Sequence, residues 1–317
     1  MRTFCTIITG NYFPYAITLY RSILKMNPNE TMHLLICDQD AVSIDQKLFP
    51  GLHFHHLNDI FKQYKADEII GKYRNNSDSL RWALKPVYIN YLLANGFEKV
   101  VYTDCDLFFF NDYEFLFEEL DRYMLTLTPG YTSSNPYVHE EEFLSGYKYG
   151  LFNAGFVGAN KNSMAALNWW ANCCSYKVET DFENGLFVDQ KYLDALPVLF
   201  DDIGIIRHKG CNVAIWNQHE CKRVRKNEQV LINGEYPIVF IHFSNKYIPE
   251  LVSGNDPLIY PYYLEYEKEF GKSGKTIREF IPGLPEYKKP APIIMLKRKL
   301  LLRTRIKRWF FRLSQIK

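Results

Sequence analysis

Several hallmarks of secreted and membrane-embedded proteins are missing from this 317-residue chain. Its seven cysteines (Cys5, Cys37, Cys105, Cys173, Cys174, Cys211 and Cys221) are odd in number, scattered, and free of any Cys-x-x-Cys pair. That pattern argues against a disulfide framework and a zinc site, and makes a reducing compartment the expectation. No window approaches the roughly 18 to 20 continuous apolar residues that span a bilayer. The opening MRTFCTIIT carries one charge and then β-branched residues, where a secretion signal would place a long apolar stretch. The expected address is therefore cytoplasmic, with any membrane contact peripheral. Net charge is small, at +2, but unevenly distributed: residues 288–317 hold 11 of the 38 Lys+Arg and none of the 36 Asp+Glu. The remaining body has 27 basic against 36 acidic residues, a balance of −9. What is abundant is core-forming material, 47% hydrophobic and 16% aromatic, enough for one large domain or two modest ones.

Periodicity predicts alternating strands and helices. Phe4 to Thr9 reads as a buried strand, followed by the turn Gly10-Asn11-Tyr12 and a helix from Pro14 to Met26. Further strands are expected at Met32 to Cys37 and Leu52 to His56, then a helix from Asp78 to Asn95 stopped by Gly96, then the strand Val100 to Thr103. Tyr123 to Thr128 and Phe152 to Gly158 read as strands flanking a loop-rich stretch, Thr132 to Tyr149. Later elements are predicted as helices at Ser163 to Cys174 and Leu186 to Leu196, with short strands near Val198 to Phe200 and Pro237 to His242. This order predicts an α/β fold whose mostly parallel sheet is covered by helices on both faces. Ligands of such sheets sit beyond the carboxyl ends of the strands, which gathers Thr9 to Tyr12, Asp38 and Asp104/Asp106 on one rim.

The most informative stretch is KVVYTDCDLFFF, from Lys99 to Phe110, which sets Asp104 and Asp106 at the end of an apolar run. Side chains at i and i+2 of a strand point the same way, so the two carboxylates can share a divalent cation. Oxygen ligands of this kind suit Mg²⁺ or Mn²⁺ carrying phosphate oxygens, and the chemistry implied is metal-assisted work on a diphosphate. The bland alternative is a solvated carboxylate pair.

Four segments in order, ITGNYFPYAITLYRSI, VVYTDCDLFFF, LFNAGFVGAN with DQKYLD downstream, and IHFS, resemble the retaining GT-A glycosyltransferases of family eight, which includes glycogenin-like and bacterial lipopolysaccharide glycosyltransferases. The resemblance spans roughly residues 3–245. It implies a GT-A, Rossmann-like mixed sheet and transfer of a hexose from a nucleotide sugar, UDP-linked by expectation. Asp104, Asp106 and His242 would hold Mn²⁺ or Mg²⁺. Thr9, Asn11 and Tyr12 resemble the loop around the uracil base, Asp38 would bind ribose hydroxyls, and Arg81 or Lys85 would lie near the diphosphate. Asn153, Ala154 and Gly155 resemble the turn that touches the donor sugar. Asp189 and Gln190 resemble the pair beneath the anomeric carbon, and Asn212 with Trp216-Asn217 resembles a cleft-lining stretch. Lys246 would neutralise the leaving diphosphate, although the family's His-x-x-Gly-x-x-Lys-Pro-Trp is replaced here by His-Phe-Ser-Asn-Lys.

Three rivals are weighed. A haloacid-dehalogenase-type phosphatase also uses Asp-x-Asp after an apolar strand, with Asp201-Asp202 as a later acidic pair, but its motif strand comes first and Leu107 replaces the usual Thr or Val. A nucleotidyltransferase would need a Gly-rich basic phosphate loop that is absent after the first strand. A non-catalytic sugar-nucleotide-binding protein is the third class. The expected catalytic domain is 1–286, followed after Lys-Lys-Pro-Ala-Pro by a basic tail, 287–317, predicted helical from Ile293 to Leu313. There Leu302, Ile306, Trp309, Phe310 and Leu313 form an apolar stripe between basic residues, a pattern suited to an anionic membrane surface and not to nucleic acid, with packing on the protein's own body as the alternative. The expected acceptor is a glycan or a lipid-linked one, in surface polysaccharide or lipopolysaccharide synthesis.

Overall fold

The structure, a computed structural model, describes residues 1–38 and 49–287. The basic segment and its predicted helix lie outside the described residues.

Fourteen strands and twelve helices are described. Strands β1 (Arg2–Ile8), β2 (Met32–Ile36), β3 (Leu52–His56), β4 (Lys99–Thr103), β6 (Leu125–Pro129), β7 (Phe152–Asn160) and β10 (Ile203–Ile205) form one seven-stranded sheet in the order β10-β6-β7-β4-β1-β2-β3. All neighbours are parallel except those of β7, which runs against both β4 and β6, so the sheet is mixed. Alternate residues of β1 point to opposite faces. Phe4 and Ile8 enter one core with helices α1 (Phe13–Met26) and α11 (Tyr260–Gly271), while Cys5 and Ile7 enter the other with α3 (Ala66–Tyr73), α5 (Lys85–Ala94) and α8 (Met164–Tyr176). Helix α6 (Glu114–Arg122) joins the first core through Leu116, Phe117 and Leu120. This two-faced burial matches the α/β expectation.

Small sheets complete the site side. Strand β5 (Leu107–Phe109) pairs antiparallel with β14 (Phe240–His242), setting His242 opposite Leu107. Strands β8 (Thr180–Asp181) and β9 (Leu186–Phe187) pair, as do β11 (Arg223–Lys226), β12 (Gln229–Ile232) and β13 (Tyr236–Pro237). The remaining helices are α2 (Leu57–Ile60), α4 (Ser77–Ala83), α7 (Glu140–Tyr149), α9 (Leu196–Leu199), α10 (Tyr247–Val252) and α12 (Ile277–Phe280).

Local readings fail where tertiary contacts decide. The single helix expected over Asp78 to Asn95 is two, α4 and α5, divided at Leu84, because Pro86 carries no N–H to continue the ladder. The second half of the expected loop is α7, which begins with three consecutive glutamates favoured at a helix N-terminus. In place of the helix expected over Leu186 to Leu196 stand a two-residue strand and a 3₁₀ segment (Gln190–Ala195), with α9 beginning at Leu196. The strand expected near Val198 begins at Ile203, as β10.

Candidate active site

The aspartate pair lies just past β4, but strand alternation does not assemble it. Strand β4 ends at Thr103 and Asp104-Cys105-Asp106 is a tight turn into β5, closed by the Leu107 N–H donating to Asp104 O at 3.2 Å. Asp104 N donates to Gly155 O (2.8 Å), and Phe243 N to Asp106 O (2.9 Å). These bonds fix the turn between β7 and β14. The β5–β14 ladder then delivers His242, whose Nε2 is 3.1 Å from Asp106 Oδ1. One ligand atom from each of Asp104, Asp106 and His242 lies within 4.8 Å of the others.

His242 is oriented from behind. Its Nδ1 donates to Asn212 Oδ1 at 3.3 Å, which leaves Nε2 to face the carboxylates, and Trp216 packs edge-on at 5.2 Å. Asn212 is fully buried in the left-handed region (φ 58°), and Asn217 Nδ2 donates to its carbonyl at 2.7 Å; Asn tolerates that backbone better than most residues. Asn212 therefore reaches the centre only through His242. Burial opposes charge on both partners, yet their mutual attraction prevails, holding His242 above the ordinary histidine range and Asp106 below the usual carboxylate range. A metal ion here would displace a proton from between them.

The residues present fit such an ion. Two carboxylates and an imidazole supply an oxygen-rich donor set, and an outer amide fixes the imidazole, as metal-bound histidines require. The floor is cut to size by Gly155: a Cβ there would lie 2.7 Å from His242 Cε1 and 3.0 Å from Asp104 Oδ2.

Lys85 is a buried cation, 2% exposed, in the wall of the larger cavity. Its ammonium stands 3.2 Å from Asp104 Oδ1 and 3.2 Å from Asp189 Oδ2, and donates to Ala154 O at 3.1 Å. Burial lowers its proton affinity, but the two carboxylates more than restore it. Asp189, 1% exposed, is pushed up to about 6 by burial, with Lys85 pulling the other way. The oxygen of Gln190 accepts from Asn153 Nδ2 and Ala154 N, both at 3.1 Å, and its Nε2 donates to Tyr149 O at 3.0 Å. Asn153 Oδ1 in turn accepts from Gly155 N at 3.0 Å. Both ends of the Gln190 amide are thus engaged by backbone and side chain.

Two cavities meet at Asp104. One, of about 330 Å³, is lined by Tyr12, Arg81, Asp106 and Lys246 among others. The other, about 820 Å³, is lined by Lys85, Gly155, Asp189, Gln190 and His242. Arg81 lies over the Tyr12 ring at 4.6 Å, so one face of that ring is covered by a cation. Thr9, Asn11 and Asp38 are not among the residues lining either of these two cavities, and they bond one another and the backbone: Gly10 N donates to Asp38 Oδ1 (2.8 Å) and Oδ2 (2.9 Å), and the Thr9 hydroxyl donates to Asn11 Oδ1 (2.6 Å). Trp82 and Ser244 line both cavities and were not given roles from the sequence, although Trp82 follows Arg81 and Ser244 stands between His242 and Lys246. Tyr102, whose hydroxyl donates to Asp104 Oδ1 at 2.7 Å, was findable: it stands two residues before Asp104, on the same side of the strand.

Residues 5–249 match the sequence profile described as Glycosyl transferase family 8. The chain belongs to that family. It is a glycosyltransferase of the EC 2.4 class that transfers a sugar from a nucleotide sugar, which removes the phosphatase and non-catalytic readings. Relatives include YfnF of Bacillus subtilis (strain 168), 24% identical over 277 residues covering 83% of this chain and 90% of YfnF. YfnD of the same organism is 28% identical over 250 residues, 76% of each chain. The family fold is matched by the galactosyltransferase LgtC crystallised with donor and acceptor sugar analogs, at a TM-score of 0.53 and 16% identity over 90% of this chain and 98% of LgtC. An active-site mutant of LgtC gives 0.51 at 14% identity, over 77% and 87%. No helix among the described residues is long and apolar enough to cross a membrane.

Proposed function

We propose that this family 8 enzyme is metal-dependent and moves a hexose from a UDP-sugar to a glycan or lipid-linked acceptor with retention, in surface polysaccharide or lipopolysaccharide synthesis. The observation that carries this reading is the convergence of Asp104, Asp106 and His242 beside the Gly155 floor. Bound there, Mn²⁺ or Mg²⁺ would act as a Lewis acid on the departing diphosphate. The chain's own residues divide the remaining work. Arg81 and the exposed Lys246 bring positive charge to the smaller cavity, where it complements a diphosphate. Tyr12 offers an aromatic surface next to them, in keeping with a base subsite. Lys85 holds Asp104 in place by charge. Asp189 and Gln190 form the floor of the larger cavity, the side on which the donor sugar would lie. Their bonding suits positioning: the Gln190 oxygen already accepts two hydrogen bonds, and Asp189 is committed to Lys85.

We further propose that the basic segment beyond 287 docks the enzyme on an anionic leaflet, near a lipid-linked acceptor. Its eight Lys and Arg residues between Lys297 and Arg312 support this, at about 1 kcal/mol for each basic residue near such a surface.

The decisive experiment on the catalytic reading is UDP release from a panel of UDP-hexoses with Mn²⁺, comparing the wild type with Asp106→Ala. Loss of a contribution worth several kcal/mol should cut turnover by about 100-fold or more while the fold persists. Wild-type-like transfer by the variant would remove the metal assignment.

A further inference from the structure

Away from Asp104, a second set of metal-binding side chains converges. His139 immediately precedes α7, Glu142 stands in that helix's first turn, and His219 follows the 3₁₀ turn Ile215–Asn217. One ligand atom from each lies within 4.8 Å of the others, and His219 Nε2 is 3.0 Å from Glu142 Oε1. The two imidazoles stack at 3.6 Å with 24° between their planes. All three residues are half-buried. His139 caps the start of α7 with non-helical backbone, and Glu142 stands three residues on, in the first turn. Next to them, Glu220 Oε1 accepts from Ser134 N at 2.9 Å and Ser134 Oγ at 2.6 Å, so the two segments are already held side by side.

We propose that His139, Glu142 and His219 form a second cation site, selective for a borderline transition metal such as Zn²⁺. The chemistry differs from that of the first centre. Two imidazoles and one carboxylate suit zinc, whereas two carboxylates and one imidazole favour Mg²⁺ or Mn²⁺. The lack of a Cys-x-x-Cys pair speaks only to thiolate sites and leaves this one untouched. Zinc bonds of about 2.0 to 2.2 Å place tetrahedral donor atoms about 3.3 to 3.5 Å apart. The His219–Glu142 pair is near that spacing. The imidazoles would turn from their stack to face one ion. Three protein ligands leave a fourth position for water.

The site has a structural consequence. Helix α7 ends at Tyr149, whose carbonyl takes the Gln190 amide, and His219 belongs to the segment carrying Asn212 and Trp216 behind His242. An ion at this site would staple together the two segments that support Gln190 and His242 in the wall of the larger cavity. His139, Glu142 and His219 are positioning residues in this scheme.

The test is zinc retention by the full chain, dialysed against Zn²⁺ with excess Mg²⁺ to occupy the first centre and then analysed for metal. Wild type and Asp106→Ala should each keep about one zinc, and zinc should raise both melting temperatures. His219→Ala and Glu142→Gln should bind zinc on the order of 100-fold more weakly, a ligand costing at least as much as an outer partner, with metal-free melting unchanged. Cobalt substitution supplies a second readout, since a His-rich tetrahedral site gives an intense visible absorption that His219→Ala should lose. Zinc absent from Asp106→Ala, or retained undiminished by both His219→Ala and Glu142→Gln, would overturn the proposal.

Discussion

Replacing Gly155 by alanine is the sharpest probe of the Asp104 centre, because it adds one methyl group and removes no ligand. The added carbon would sit 2.7 Å from His242 Cε1, 2.7 Å from Asn153 Oδ1 and 3.0 Å from Asp104 Oδ2. Ordinary contact begins at 3.4 Å, so the imidazole must retreat by about 0.7 Å and the carboxylate by about 0.4 Å. Gly155 is not among the residues of positive φ, so the effect is one of space and not of backbone strain. His242 has nowhere easy to go, being buried between Asn212 and Trp216. Metal geometry tolerates only about 0.2 Å. Mn²⁺ affinity should therefore fall about 10- to 100-fold, in line with other disturbances of ligand placement. Overpacking should cost about 1–3 kcal/mol of stability, leaving the fold intact. Titration of free Mn²⁺ by its electron paramagnetic resonance signal, beside a urea melt, separates the two effects. Undiminished Mn²⁺ affinity in a folded Gly155→Ala protein would refute the assignment of this floor to a metal.

Three other outcomes are expected. Lys85→Met leaves Asp189 buried without its cation and should destabilise the protein by about 3–5 kcal/mol in urea, with much of the loss recovered in Lys85→Met/Asp189→Asn; a loss under about 1 kcal/mol would show that the ion pair does not hold the floor together. Because Asp189 is pushed up to about 6 from 3.8, the folded protein binds more protons than the unfolded chain in that window, so its contribution to stability falls as pH rises from 4 to 6. Wild type should lose stability relative to Asp189→Asn across that range and run parallel to it above; a flat difference would contradict the shift. Truncation after Pro292 should release the protein from anionic vesicles while UDP-sugar hydrolysis continues, and vesicle binding equal to the full chain would count against a docking role for the tail.

Much of the architecture could be read locally. The strands Leu52 to His56 and Met32 to Ile36 stand where alternation and apolar runs place them, and α1 opens with a proline in its first turn. Such signals depend on residues a few positions apart. Misreadings arose where the same local signal has two outcomes. Residues 186–199 carry helix-like periodicity but are divided among a strand pair, a 3₁₀ segment and a short helix by their packing beneath β7. The burial of Lys85 could not be read locally, because it depends on two carboxylates arriving from 19 and 104 residues downstream.

Composition and alternation were sufficient by themselves for an α/β fold with acidic residues at a strand end, because each is a property of neighbouring residues, and the order of four short motifs carried the resemblance to glycosyltransferases. Three-dimensional pairing alone decided the rest: the β5–β14 ladder that sets His242 against Asp106, and the second His-Glu-His cluster spanning 80 residues. Those arrangements depend on register between distant strands and loops. Register is chosen by whichever alignment buries both faces of the sheet at once, a condition that no short stretch of chain can express.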